Sequence, residues 1–311
     1  MKTAFLFSGQ GAQYVGMGKE IAMAYPQAKA VYDAADAALG FSISEICWEN
    51  ETKLNETEYT QPAILTTSMA LLAVLKEKGV SADYLAGLSL GEYSALTAGG
   101  TFSFADAVTL VRKRGRFMTE AVPAGEGAMY AVLSLAKEKI EAICNEVTLS
   151  EGYVAPANYN APGQIVIAGL AGPAASAAAL CKEAGAKMVV QLNVSGPFHT
   201  GLLKPAAEKL EEELEKMTFT MPSVPVVTNF TARPYPDAAS IRPTLIQQVM
   251  SPVRWEDTIL YLAEQGVDTF IEIGPGKTLC GFVKRTDKGV TILNVEDEKS
   301  LAKTLAALEE K

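Results

Sequence analysis

Within Ala86-Gly87-Leu88-Ser89-Leu90-Gly91-Glu92 a serine stands between two glycines, at the point where an apolar strand gives way to a helix. No other stretch narrows the possible folds so far. In a Gly-x-Ser-x-Gly elbow the serine backbone is strained, the flanking glycines let neighbouring segments approach closely, and the hydroxyl is presented at a helix N-terminus. The five-residue pattern carries little weight alone, because Gly and Ser are common; the context supplies the rest. Asp83-Tyr84-Leu85-Ala86 reads as a strand end, and Glu92 to Ala98 reads as the start of a helix stopped by Gly99-Gly100. That is the strand, turn, helix order an elbow requires.

The chain holds one histidine, His199. A serine hydroxyl is a poor nucleophile until a positioned base takes its proton, and imidazole suits that task near neutral pH. Without the elbow, a histidine that merely fills a core or surface position would be the better reading. With it, and with His199 in the breaker-rich loop Asn193 to Thr200 between a strand and a helix, the catalytic reading leads.

The 311 residues are 49% hydrophobic and 20% charged, enough for one large domain or two unequal ones. The apolar run at Met1 to Ser8 is too short for a signal peptide and has no small-residue cleavage site behind it. The most apolar helix, Ile64 to Leu75, includes Thr66, Thr67 and Ser68 and falls short of a membrane span. A cytoplasmic protein without membrane contact is therefore expected. Cys47, Cys144, Cys181 and Cys280 are far apart, so neither a disulfide framework nor a metal-binding Cys-x-x-Cys is indicated, and a lone histidine speaks against zinc. A net charge of −9 argues against general nucleic-acid binding. An acidic partner would need a local basic patch, such as Arg112, Lys113 and Arg116 or Lys284 and Arg285, although each also reads as a solvated helix face.

An apolar strand at residues 3 to 8 runs into the loop Gly9-Gln10-Gly11-Ala12-Gln13, followed by helices to about residue 78. After the elbow, Ser103 is placed to cap a helix to about Glu120. From 126 to 195 the pattern becomes Ala128 to Leu133, helix to about Val147, Tyr153 to Ala157, Gln164 to Ala168, helix over 172 to 184, and Met188 to Leu192. This β-α-β-β-α-β order predicts a small ferredoxin-like α+β domain at 126–195, inserted in a large α/β domain made of 1–125 and 196–311. Beyond 200 come a helix to about Met217, strand Val224 to Thr228, helices at Leu245 to Met250 and Asp257 to Gln265, strand Thr269 to Ile273, a helix after Gly276, strand Val290 to Val295 and a last helix. Alternating strands and helices predict a mostly parallel sheet covered on both faces.

The loop after the first strand offers free backbone N–H groups, suited to an anion or an oxyanion. It lacks the Gly-Lys-Ser/Thr of a P-loop and the third glycine of a dinucleotide site. An acyl-transfer site needs the N–H after the nucleophile, here Leu90, and a second donor from another loop, for which Gln10 N–H is the candidate. Arg114 falls on the same helical arc as Ala107, Leu110, Val111 and Met118, while Lys113 and Arg116 point away. A buried arginine needs an anionic partner, either a structural carboxylate or the carboxylate of a substrate held by two parallel hydrogen bonds.

Taken together, the Gly9 to Gln13 loop, Tyr59-Thr60-Gln61-Pro62-Ala63, the elbow, Arg114-Gly115, Asn160-Ala161-Pro162-Gly163-Gln164, Phe198-His199, Thr228-Asn229-Phe230 and Glu272-Ile273-Gly274-Pro275-Gly276 resemble the malonyl-CoA:acyl carrier protein transacylase family over essentially the whole chain. The resemblance implies a hydrolase-like α/β domain with a ferredoxin-like insert. It implies ping-pong transfer of malonyl from malonyl-CoA through Ser89 to the phosphopantetheine thiol of acyl carrier protein, with no resident cofactor or metal. It assigns His199 as base, Gln10 and Leu90 N–H groups as oxyanion hole, Arg114 as malonyl clamp, and Phe198, Met118 and Asn160 to the substrate pocket. A main-chain carbonyl orients the histidine in this family, and the matching position is Gln248. The family usually has His before the nucleophile where this chain has Leu88; that residue is not the base. Phe198 resembles the pattern of malonyl-selective domains, where a bulky ring crowds an α-methyl branch. A stand-alone acyltransferase of a polyketide assembly line shares all these features. A serine hydrolase would have no need of Arg114 facing its acyl pocket, and a non-catalytic carrier-binding module would have no need of Ser89, His199 and Arg114 together.

Overall fold

The computed structural model describes residues 1–194 and 196–310; Ser195, the last residue of the expected insert, and Lys311 lie outside the described residues. Two five-stranded sheets organise the chain. In the first, β1 (Thr3–Phe7) is central, flanked by β2 (Tyr84–Gly87) and β9 (Thr269–Ile273), with β7 (Val226–Val227) and β10 (Thr291–Val295) at the edges. Every pairing in it is parallel. All five residues of β1 are buried. Phe5 and Phe7 join one apolar cluster, while Ala4 and Leu6 join another that contains Trp255, Phe270 and Ile259. A strand apolar on both sides forms where helices cover both faces of a parallel sheet. Each fully buried side chain of this kind contributes roughly 1.5–3 kcal/mol.

The second sheet has the order β6 (Met188–Gln191), β3 (Gly127–Leu133), β5 (Gln164–Leu170), β4 (Val154–Ala161), β8 (Val253–Arg254). Its first four strands pair antiparallel, with helices Lys137–Ser150 and Ala171–Glu183 packed on one face around Ile140, Cys144, Ala177 and Cys181. This is the ferredoxin-like unit, and β4 is longer than the run Tyr153 to Ala157 because register shifts carry its pairing on to Ala161. The fifth strand was not expected. β8 comes from the far side of the chain and pairs parallel with β4 through Asn158↔Val253 and Tyr159↔Arg254.

Other boundaries move by a few residues. The strand expected at Val224 to Thr228 is paired only at Val226–Val227, and the helix expected from Leu245 begins at Ile241. Ser103 caps Phe104–Glu120 as expected, its hydroxyl accepting from Asp106 N at 3.1 Å. Helix Thr57–Glu77 is buried nearly all round, as a helix wedged between others must be. No helix among the described residues is long and apolar enough to cross a membrane. The basic residues on Phe104–Glu120 are answered by carboxylates: Arg112 by Glu58 at 2.9 Å, Lys113 by Glu213 at 2.7 Å and Arg116 by Glu120 at 3.7 Å.

Candidate active site

β2 delivers its chain to Ser89, which caps helix Leu90–Ala98 with φ 53° and ψ −105°. That conformation costs a non-glycine residue on the order of 1–3 kcal/mol and needs support from its surroundings. Two features supply it. A Cβ on Gly91 would lie 2.1 Å from the Phe7 carbonyl oxygen, so only glycine lets the helix sit against the end of β1. Asn229 staples the turn from outside, accepting from Ser89 N at 2.6 Å and donating to Gly87 O at 2.7 Å. The loop after β1 touches the same turn: a Cβ on Gly9 would stand 2.5 Å from Leu88 O. Gln10 follows, its side chain donating to Thr57 Oγ1 at 3.0 Å. Leu90 opens the helix, and its N–H is one of those with no acceptor a turn behind.

Ser89 is 8% exposed. His199 Nε2 lies 2.7 Å from Ser89 Oγ, and His199 Nδ1 lies 2.9 Å from the Gln248 carbonyl oxygen. A carbonyl only accepts, so Nδ1 carries the proton and the lone pair of Nε2 faces the hydroxyl. His199 has φ 59°, a second strained residue beside the first. Burial, then the Arg114 cation, pull its pKa from 6.5 down to about 4, against the carbonyl contacts at Gln248 and Ser251 that favour the charged ring. The imidazole is therefore neutral, and able to accept a proton, across the neutral range.

Arg114 is 1% exposed. Its Nη1 donates to Gln61 Oε1 at 2.7 Å, and its Nη2 to Gln248 Oε1 at 3.1 Å and Ser89 Oγ at 3.2 Å. The guanidinium carbon lies 5.1 Å from the centre of the Tyr93 ring, and Nε is buried without a partner. No carboxylate among the described residues forms an ion pair with it. Neutral amide oxygens and a hydroxyl hold the cation directly, and the buried Glu92, which does not touch it, acts on it only at longer range. A cation so placed beside a nucleophilic oxygen can bind an acyl group that ends in a carboxylate.

Beneath these groups lies Glu92, fully buried. Its Oε2 accepts from Asn229 N at 2.9 Å and from Gln248 Nε2 at 2.8 Å, while Oε1 takes the Tyr235 hydroxyl. Burial pushes its carboxyl above the usual range, and these donors with the Arg114 charge oppose that.

The remaining expected residues fall in three positions. Phe198 is buried beside His199 with its ring against Gly196, and Met118 accepts from Gln61 Nε2 through its sulfur at 3.5 Å, one step from Arg114. Asn160 makes no hydrogen bond to the cluster; it sits on β4 with its carboxamide oxygen buried and unpartnered. Gln61 and Asn229 were visible in the sequence only as parts of motifs, and Glu92 only as the start of a helix.

A family model described as "Acyl transferase domain" matches residues 4–305. A "Malonyl CoA-acyl carrier protein transacylase" of Bacillus subtilis (strain 168) is 48% identical over 310 residues, 99% of this chain and 98% of the relative. The crystal structure of a malonyl CoA-acyl carrier protein transacylase from Clostridium perfringens superposes with a TM-score of 0.97 at 48% identity, covering 100% of this chain and 98% of that one. A type II PKS acyl-carrier protein in complex with its malonyl-transacylase gives a TM-score of 0.96 at 41% identity, covering 99% and 100%.

Proposed function

Because the chain belongs to the acyl transferase domain family, we propose that it transfers malonyl from malonyl-CoA to the phosphopantetheine thiol of acyl carrier protein, as an [acyl-carrier-protein] S-malonyltransferase supplying fatty acid synthesis. The observation that carries this reading is Arg114, a buried cation with no carboxylate in direct contact, 3.2 Å from the hydroxyl of Ser89.

The chemistry follows from the geometry. Ser89 Oγ passes its proton to His199 Nε2 and attacks the thioester carbonyl carbon of malonyl-CoA. Negative charge gathers on the carbonyl oxygen and is received by the N–H groups of Leu90 and Gln10, aided by the positive end of helix Leu90–Ala98. Collapse breaks the C–S bond, and His199 returns its proton to the departing coenzyme A sulfur. The carrier's thiol then repeats the sequence in reverse and takes malonyl from Ser89. The Gln248 carbonyl holds the imidazole in the tautomer both halves need. Arg114 grips the malonyl carboxylate, exchanging the Ser89 hydroxyl for a charged partner while Gln61 and Gln248 continue to hold it, and Phe198, Met118 and Asn160 are read as lining the acyl pocket. Segment 126–195 is read as the small domain and 1–125 with 196–311 as the large one, supported by the four strands that 126–195 gives the second sheet. Four free cysteines fit a reducing compartment, and the reading places the activity in the cytoplasm.

Incubation with malonyl-CoA followed by intact-mass measurement tests the reading. One malonyl group should add to the wild-type chain and none to Ser89→Ala. An adduct that persists on Ser89→Ala would put the nucleophile elsewhere.

A further inference from the structure

Glu92 touches no reacting atom, yet one of its oxygens bonds the two residues that hold the site together. Through Asn229 it steadies the elbow, whose Ser89 N and Gly87 O the Asn229 amide grips; through Gln248 it reaches the clamp. Gln248 is the crossing point. Its backbone carbonyl orients His199, its Nε2 donates to Glu92 Oε2 and to Ser89 O at 2.9 Å, and its Oε1 accepts from Arg114.

The two ends of an amide have nearly the same shape, so its orientation is set only by partners. Turned over, Gln248 would set Nε2 against the donors of Arg114 and Oε1 against a carboxylate and a carbonyl. We propose that Glu92 is a positioning residue for acyl selection: it locks the Gln248 amide with Oε1 toward Arg114, and so keeps the guanidinium over Ser89 for an acyl group that carries a carboxylate. Ser89 O and the Arg114 cation favour the same orientation, and Glu92 adds a second acceptor for Nε2, a charged one, on the face away from Arg114. Burial of every participant leaves no water to repair a wrong orientation. The inference rests on malonyl transfer by this site.

The readout is the ratio of kcat/KM for malonyl-CoA to that for acetyl-CoA, measured as acyl-enzyme formation alongside thermal melting. In Glu92→Gln the new Oε1 can accept from both Asn229 N and Gln248 Nε2 while the Tyr235 hydroxyl turns to accept from the new amide, so the ratio should stay within about threefold of wild type. Glu92→Leu deletes one of the two acceptors of Gln248 Nε2 and loosens the amide, and the ratio should fall by about tenfold or more, with the malonyl loss carried mainly in KM. Equal losses for both donors, or a fall in Glu92→Gln as large as in Glu92→Leu, overturn the inference. Should Glu92→Leu fail to fold, Gln248→Met decides, since it keeps the backbone carbonyl and deletes the amide: an unchanged ratio there also overturns it. A wild-type enzyme with no malonyl adduct would overturn the function and this inference together, whereas a wild-type adduct with unaltered ratios sinks the inference alone.

Discussion

Lowering the pH from 7 to 5 should leave acyl-enzyme formation from acetyl-CoA nearly untouched. Burial and the Arg114 cation hold the His199 pKa at about 4 instead of 6.5. At pH 5 an ordinary imidazole is about 3% free base, whereas one titrating near 4 is roughly nine-tenths free base, a thirtyfold difference in competent enzyme. The assay is kcat/KM for acetyl-CoA between pH 4 and 8, the acetyl donor being chosen because its acyl group does not titrate. Glu272, pushed up to about 7 by burial, ionises inside this range, but it bonds Ser8 and Cys280 N and not the histidine. A Glu272→Gln background isolates the imidazole limb. Global stability would be a poorer readout. The unfolded chain protonates His199 at 6.5 and the folded one only near 4, so this residue costs stability as pH falls through that window, about 3 kcal/mol at its lower end. Glu272 acts oppositely, since its folded carboxyl takes a proton near 7 while an unfolded one waits until about 4.5, and the two nearly cancel. A kinetic midpoint at 6.5 or above would refute the argument.

Arg114→Ala should cost malonyl transfer about 3–5 kcal/mol, the scale of leaving a buried charge without its partner, and acetyl transfer much less; equal losses in kcat/KM would make the arginine structural. Gly91→Ala should lower stability by more than about 2 kcal/mol and abolish the malonyl adduct, because the new Cβ meets the backbone at Phe7 and neither element can give way; an unshifted melting temperature would contradict the packing of elbow on β1.

Local physics made part of this molecule readable. The elbow, the caps and the strand-helix alternation depend on neighbours in sequence, and Gly87, Ser89, Gly91 and Ser103 mark them. The Ser89 and His199 pair was legible because a nucleophile needs a base and only one imidazole exists. What holds Arg114 was not. Its helical arc required a partner, but the choice of Gln61 and Gln248 over a carboxylate is made by contacts across 53 and 134 residues, which no periodicity records. The contact of the Gln248 carbonyl with His199 was reached only through family resemblance, because a backbone carbonyl leaves no mark on residue type. Glu92 read only as the start of a helix, since its burial is decided by Asn229, Tyr235 and Gln248 far along the chain. The two-residue strand β8 is too short to show alternation, whereas β7 was found inside a longer apolar run.

Because β8 completes the second sheet, segment 126–195 is contiguous in sequence but not self-contained in hydrogen bonding. Arg254 N, in that strand, also donates to Asn229 O at 3.0 Å, and Gln248 lies just upstream. A cassette swap at 126 and 195 would hand β8 a foreign edge to pair with, and any misfit would travel along the chain to the imidazole's acceptor and the amide that pins the elbow. Chimeras of this enzyme should therefore carry 251–254 along with the graft.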